Sequence, residues 1–137
     1  MSDIKAGLTG EKSVAVTMEN TAVAMGSGSL RVFATPAMAA LIEGCCAESV
    51  EGMLGDGITS VGTAISIEHL SASPIGAGIV CKSELKAFDG RRLDFTAEVY
   101  DNSGLIGRAE HTRFTVKADS FLNKTYSKLD KGSEYSI

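Results

Sequence analysis

Two short stretches of the chain combine residue types that could carry out acid–base chemistry. Within residues 34–46, Glu43 lies in an otherwise apolar segment, and within residues 66–74, His69 ends a row of alternating apolar residues. A carboxylate and an imidazole that are directed toward one interior are candidates for acid–base or nucleophilic work, because burial and nearby charges tune such groups. Glutamate is rarely buried unpaired, so something must compensate Glu43.

Each of these residues also has a purely structural interpretation. Glu43 could lie at a dimer interface and pair with an arginine, and His69 could be a hydrogen-bonded histidine at a strand end. The second histidine, His111, is predicted to be an exposed strand residue. No cluster of His, Cys and Asp has the spacing of metal ligands, so the sequence predicts no metal site.

A long helix is predicted to position Glu43. Thr35 and Pro36 indicate its start, because threonine can cap the first amide groups and proline suits the first helical position. Apolar residues then recur at helical spacing over residues 36–54, and the Gly-Asp-Gly sequence at residues 55–57 ends the helix. Because the helix is apolar around most of its circumference, we expect other structure to wrap it.

Strands are predicted to follow the helix and to position His69. The period-two rule places alternate residues of the first strand on one face, namely Val61, Thr63, Ile65, Ile67 and His69. Turn sequences at residues 89–90 and 102–104 separate the later strands, so four strands joined by tight turns are expected after the helix and should form an antiparallel meander. With a short strand at residues 13–18, this order predicts an α+β fold in which a curved antiparallel sheet wraps one central helix.

Architecture and motifs together resemble the hotdog-fold thioesterases, specifically the fluoroacetyl-CoA thioesterase-like family. The resemblance covers roughly residues 5–117. It rests on the sequence Ala-Thr-Pro at residues 34–36, Glu43 eight positions after Thr35, Val61-Gly62, Glu68-His69-Leu70, the nearby residues 74–76, and Asp-Gly-Arg-Arg-Leu at residues 89–93. It implies a hotdog domain over residues 1–117, followed by a short helix or tail over residues 118–137.

The resemblance also implies a function and its residues. Thr35, Glu43 and His69 would form the catalytic group, and Gly62 would offer a backbone amide near the thioester. Thr35 could instead be only a helix cap, and Gly62 a bulge or packing glycine. Arg91 and Arg92 would attract the phosphates of coenzyme A, or would simply be solvated.

The implied reaction is hydrolysis of a short-chain acyl-CoA to the free acid and CoA. Coenzyme A arrives with the substrate, so no cofactor is expected. The active site of hotdog relatives lies at a subunit interface, which implies a homodimer or a higher oligomer. Two alternatives stay open, a hotdog-type hydratase or dehydratase and a non-catalytic acyl-CoA binding domain. Residues 25–29, where the fluoroacetyl-specific member of the family carries lid phenylalanines, contain no aromatic side chain here.

Composition sets the outer limits of these predictions. The 137 residues suit one domain with a real core, and a net charge of −4 argues against a nucleic-acid partner. The three cysteines form no CxxC pair and lie in apolar stretches, which predicts reduced, packed thiols. No signal segment and no membrane-spanning run is visible, so a cytoplasmic protein without a membrane partner is expected.

Overall fold

One long helix packs against a five-stranded antiparallel sheet in this computed structural model, which describes residues 4–132. In chain order, the helices and strands are β1 (Thr9–Ala15), α1 (Ala22–Met25), α2 (Thr35–Glu51), β2 (Ile58–His69), β3 (Gly78–Phe88), β4 (Arg92–Asp101), β5 (Gly104–Lys117), α3 (Ala118–Tyr126) and α4 (Lys128–Gly132). The predicted α+β architecture is therefore confirmed, including the four strands after the central helix.

The order of strands across the sheet is β1-β3-β4-β5-β2. Strands β3, β4 and β5 form the predicted meander through two tight turns, but β2 pairs with β5 and not with its chain neighbour β3. The simple four-strand meander was therefore wrong at its first connection. The segment from residue 70 to residue 77 carries the chain from β2, at one edge of the sheet, to β3 near the other.

The core lies between α2 and the inner face of the sheet. The buried side chains of the helix recur every three to four residues, as expected for a helix with one enclosed face. They are Met38, Leu41, Ile42, Cys45, Cys46 and Val50. The helix ends at Glu51, three residues earlier than predicted, and Leu54 is nevertheless fully buried beyond it. The three cysteines are free and buried, as predicted, and burial raises the pKa of Cys46 to about 12.

A β-bulge in β2 changes which residues face the helix. The pairing with β5 shifts by one residue between Gly62 and Ala64, so that Gly62 pairs with Arg113 and Ile65 with His111. Residues of β2 before the bulge therefore lie on the opposite face of the sheet from the one that strict alternation predicts, because one extra residue inverts the alternation of a strand. Ile65, Ile67 and His69 lie on the inner face as predicted. Val61 and Thr63 do not, and the inner positions are occupied by Ser60 and Gly62 instead.

The chain after β5 continues directly into α3 and α4, so part of the predicted tail is helical. The last five residues lie outside the described part, and the division of the chain at residue 117 stays a prediction. Within residues 4–132, no helix is both long and apolar enough to span a bilayer.

Candidate functional site

The start of α2 and the end of β2 meet at a pair of polar side chains. The hydroxyl Oγ1 of Thr35 lies 2.8 Å from Nδ1 of His69, within hydrogen-bond distance. The sequence suggested that Thr35 caps the helix, but the structure does not show this. Thr35 is already the first helical residue, and Ala34 occupies the N-cap position without a side-chain hydrogen bond. Its hydroxyl is therefore free to bind His69.

His69 is half-buried, and desolvation lowers the pKa of its imidazole below the usual value. The backbone of Ser71 lies close enough to oppose this shift, but burial is the larger cause. The second ring nitrogen, Nε2, is buried and has no hydrogen-bond partner among the described residues. His69 is thus neutral at pH 7. Its Nε2 has no partner among the described residues and is available to exchange a proton with a ligand.

A small cavity opens beside this pair. Its volume is about 360 Å³, and apolar residues of α1 and of the segments around it form most of its wall, among them Ala22, Val32, Phe33 and Leu70. Thr35 and His69 also line it, and His69 is the only titratable side chain in the lining. The cavity can therefore accept a small, uncharged group next to the imidazole.

Glu43 lies farther along α2, eight residues after Thr35. This spacing corresponds to about 12 Å along a helix axis. Among residues 4–132, Glu43 makes no side-chain hydrogen bond and no ion pair. Its charge instead acts on His111 and Arg113 of β5, where it favours the protonated form of each.

His111 and Arg113 form a buried pair that the sequence analysis missed. His111 is only 2% exposed and stacks against Phe95, so its predicted exposure was wrong. Burial is the main reason that the pKa of His111 lies below its usual value. The cause of the error is the alternation of β5, which directs Ala109, His111 and Arg113 to the inner face. His111 and Arg113 lie two and four residues after the apolar residue Ala109, so the period of two places all three on one face of β5. This pattern in the sequence could have identified them as interior residues.

Gly62 lies on β2, next to this pair, and is the residue of β2 that pairs with Arg113 of β5. A Cβ atom at residue 62 would come within 3.0 Å of His111 and 3.1 Å of Arg113, so the backbone approaches these side chains as only glycine allows. The structure thus places Glu43 and Gly62 around the same two residues. Within one protomer it does not bring either of them to Thr35 and His69.

Arg91 and Arg92 follow the β3–β4 turn. Arg92 binds Asp94 at 3.1 Å and lies over the ring of Phe114, whereas the Arg91 side chain is exposed and has no ion pair among the described residues. In the sheet, Arg92 pairs with Phe114, which in turn pairs with Val61. Both arginines therefore lie at the Gly62 end of the protomer, away from His69.

The candidate residues consequently form two candidate half-sites that are separated along α2 and β2 within one protomer. Thr35 and His69 form the first half-site, and Glu43 and Gly62 form the second. Along β2, the seven residues from Gly62 to His69 correspond to about 20 Å. The spacing predicted from the sequence was consistent with one shared site, but helix and strand geometry separate the two groups within a protomer.

Comparison with known proteins identifies the family. The family model described as fluoroacetyl-CoA-specific thioesterase matches residues 16–119. The fluoroacetyl-CoA thioesterase of Streptantibioticus cattleyicolor is 34% identical over 101 residues, which cover 74% of this chain and 73% of that protein. A solved structure of a fluoroacetyl-CoA thioesterase superposes with a TM-score of 0.87 at 27% identity, covering 91% of this chain and 97% of the other.

A more distant structure supports the fold alone. A hypothetical protein from Thermus thermophilus, a thioesterase superfamily member, has a TM-score of 0.87 at 20% identity and covers 99% of this chain and 100% of its own. The predicted hotdog fold is confirmed, and the family favours a thioesterase over a hydratase or a binding domain. The chain belongs to the fluoroacetyl-CoA-specific thioesterase family, whose members are acyl-CoA thioester hydrolases.

Proposed function

We propose that this protein hydrolyses a short-chain acyl-CoA to the free acid and CoA. The observation that carries this proposal is the Thr35–His69 pair, which opens onto a small cavity without charged side chains. The reaction forms a C–O bond to the acyl carbon and breaks its C–S bond, and the departing sulfur takes up a proton. No cofactor beyond the CoA of the substrate takes part, and the cytoplasm stays the proposed location.

Each half-site supplies a different part of this chemistry. Glu43 either removes a proton from the attacking water or attacks the acyl carbon itself to give an anhydride that water then opens. Thr35 donates to Nδ1 of neutral His69, which keeps the proton of the imidazole on Nε2, and Nε2 donates to the carbonyl oxygen as that oxygen gains charge. The departing sulfur takes up the proton that Glu43 removed from water, or a proton from solvent when Glu43 attacks directly. Gly62 offers a backbone amide near the thioester.

The two half-sites come together in a homodimer. Strand β2 lies at the edge of the sheet and is twelve residues long, and an edge of this length is a template for pairing with another chain. Pairing two copies of β2 in antiparallel fashion across a two-fold axis sets the Gly62 end of one protomer against the His69 end of its partner. One dimer then holds two complete sites, each built from both chains.

The cavity wall supports a neutral, apolar acyl group. We expect kcat/KM to rise by roughly fourfold for each methylene from acetyl-CoA to butyryl-CoA, because each buried CH2 adds hydrophobic contact. Malonyl-CoA and succinyl-CoA should be at least about 100-fold poorer than neutral acyl-CoAs of equal length, because no lysine or arginine lines this cavity to compensate the charge of a carboxylate. The measurement is thiol release over this panel.

A pair of variants on α1 locates the acyl group. Ala22→Leu should lower kcat/KM for butyryl-CoA about tenfold and leave acetyl-CoA within about threefold, because the leucine occupies space in the cavity. Ala24→Leu is the matched control, since Ala24 lies on the same short helix but is exposed and outside the lining. Equal effects of the two substitutions would contradict this placement of the acyl chain.

Arg91 is proposed to attract the phosphates of CoA toward the composite site, with Arg92 beside it held by Asp94. Replacing Arg91 with alanine should raise KM about threefold to tenfold at low salt and leave kcat unchanged, because the charge acts on binding and is screened by ions. The difference should shrink in 0.5 M salt. Lys82→Ala removes the same unit of charge from an exposed position of β3 and should leave KM unchanged.

A further inference from the structure

The helix α3 carries an apolar face that no residue within 4–132 buries. Phe121, Leu122 and Tyr126 lie on one side of the helix, because at about 100° per residue they fall within a sector of about 140°. All three side chains are exposed, by between 39% and 64%. Asn123 and Lys124 lie on the other side of the same helix. The helix therefore has the amphipathic pattern of one that packs against a surface.

A second exposed apolar patch lies beside the cavity of the first half-site. It consists of Val23, Met25, Leu30 and Leu70, which are between 42% and 68% exposed, and it is called the rim patch below. Leu70 lines the cavity, and Val23 follows Ala22, which also lines it. The amide of Val23 donates to the carbonyl of Leu30 at 3.2 Å and so holds these two residues together. Contiguous exposed apolar residues of this kind mark an interaction site.

Within one protomer, α3 cannot reach the rim patch. The last residue of β5, Lys117, pairs with Ile58, the first residue of β2. The next amide, that of Ala118, donates to the carbonyl of Gly57 at 2.9 Å. The helix thus leaves the sheet at the start of β2, whereas the rim patch adjoins its end. The twelve residues of β2 span about 36 Å, but the nine residues of α3 span only about 13 Å.

The proposed homodimer removes this separation. Antiparallel pairing of two β2 strands places the start of one strand beside the end of the partner's strand. The helix α3 then begins next to the partner's Leu70, so the two apolar surfaces adjoin one another along the interface that also unites the half-sites. The match to the family model ends at residue 119, so nearly all of α3 lies beyond it. The contact therefore depends on this chain's own C-terminal segment.

We propose that the apolar face of α3 docks on the partner's rim patch and closes the partner's acyl cavity. This inference rests on the proposed homodimer and on the proposed thioesterase function. The occupant is a second copy of the chain, because the strand pairing brings α3 to the rim patch in both directions and one dimer holds two equivalent contacts. Docking removes both patches from water and adds an apolar wall to the cavity.

Cross-linking between subunits tests the contact without enzyme activity. Leu122→Cys and Leu70→Cys are made on separate chains, which are mixed for subunit exchange and then treated with a short bismaleimide. A covalent dimer should form in up to about half of the molecules, the fraction of mixed dimers, whereas neither variant alone should link. Lys124→Cys is the matched control and should link at least about tenfold less, because it lies on the other side of α3. The three native cysteines are buried and should not react.

The acyl-length preference tests the closure of the cavity. Leu122→Asn should lower kcat/KM for butyryl-CoA about fivefold and leave acetyl-CoA within about twofold, because only the longer chain reaches the added wall. Asn123→Ser is the control on the other side of the helix and should leave both substrates unchanged. Both positions are exposed in the protomer, so neither substitution should prevent folding.

The outcomes separate the docking from the proposed reaction. Equal linking through residues 122 and 124, or no linking in a dimer verified by light scattering, would overturn the docking and leave the face of α3 free for another protein or a membrane. A monomer mass would overturn it as well. An unchanged acyl-length preference in Leu122→Asn would overturn the closure of the cavity. Absence of thiol release from the wild-type protein would instead overturn the proposed function, and the cross-linking would still judge the docking.

Discussion

Replacing Glu43 with glutamine is expected to reduce thioester turnover by about 100-fold or more while the protein folds normally. Glutamine keeps the shape of the side chain and removes the charge that a general base or a nucleophile needs. Since the Glu43 side chain makes no hydrogen bond and no ion pair within residues 4–132, the substitution breaks neither kind of contact in the protomer. Thiol release under saturating acyl-CoA measures kcat, and the midpoint temperature of thermal unfolding shows whether the variant is folded as stably as the wild type.

A nearby glutamate provides the control for this prediction. Glu48 lies on the same helix, but it is exposed and forms an ion pair with Lys12 on the surface. Glu48→Gln should therefore keep the wild-type rate, because exposed ion pairs contribute little. Wild-type hydrolysis by the Glu43→Gln variant would leave Glu43 as an interface residue that pairs with an arginine, the structural interpretation that the sequence left open.

Mixing two inactive variants is expected to restore about a quarter of the wild-type activity. If each site takes Glu43 from one chain and His69 from its partner, Glu43→Gln and His69→Ala are both inactive as homodimers. Random exchange of equal amounts makes about half of the dimers mixed, and each mixed dimer has one fully wild-type site out of two. Activity should therefore rise from about 1% or less to about 25% after subunits have been exchanged.

The same experiment contains its own controls. Mixing Glu43→Gln with Thr35→Ala should also restore activity, whereas mixing Thr35→Ala with His69→Ala should not, because both substitutions affect the same half-site. Light scattering before and after mixing reports the dimer mass. Recovery from the last pair, or no recovery from the first two in a verified mixed dimer, would contradict a site shared between chains in this way.

Local signals in the sequence were sufficient for the central helix, the four strands after it and their order, whereas the first strand lies at Thr9–Ala15 rather than at residues 13–18 and α1 was not predicted. Proline near the start of α2, glycines after it and turn sequences between the strands act within a few residues, so their effect is readable without the fold. The switch from helical to two-residue periodicity correctly placed the helix before the strands. The chemical candidates Thr35, Glu43 and His69 were also visible in the sequence, because their order and spacing match a known family.

Only the tertiary structure decided how the strands pair and which faces they present. The pairing of β2 with β5 joins residues about 50 positions apart, and no local pattern encodes such a contact. The bulge at Gly62 reverses the alternation for half of β2, and side chains of the neighbouring strand β5 bind the backbone of β2 on either side of it. For the same reason the buried pair of His111 and Arg113 was not predicted, since polar side chains become interior only when their partners are in place.

The arrangement of the candidate site shows the same division. The sequence by itself determined which residues are chemically suited to thioester hydrolysis, because residue type and order are properties of the chain. The tertiary structure decided that Thr35 binds His69 rather than capping its helix, and that Glu43 lies about 12 Å farther along the same helix axis. These outcomes follow from the rise of a helix and the register of a sheet, which exist only once the chain has folded.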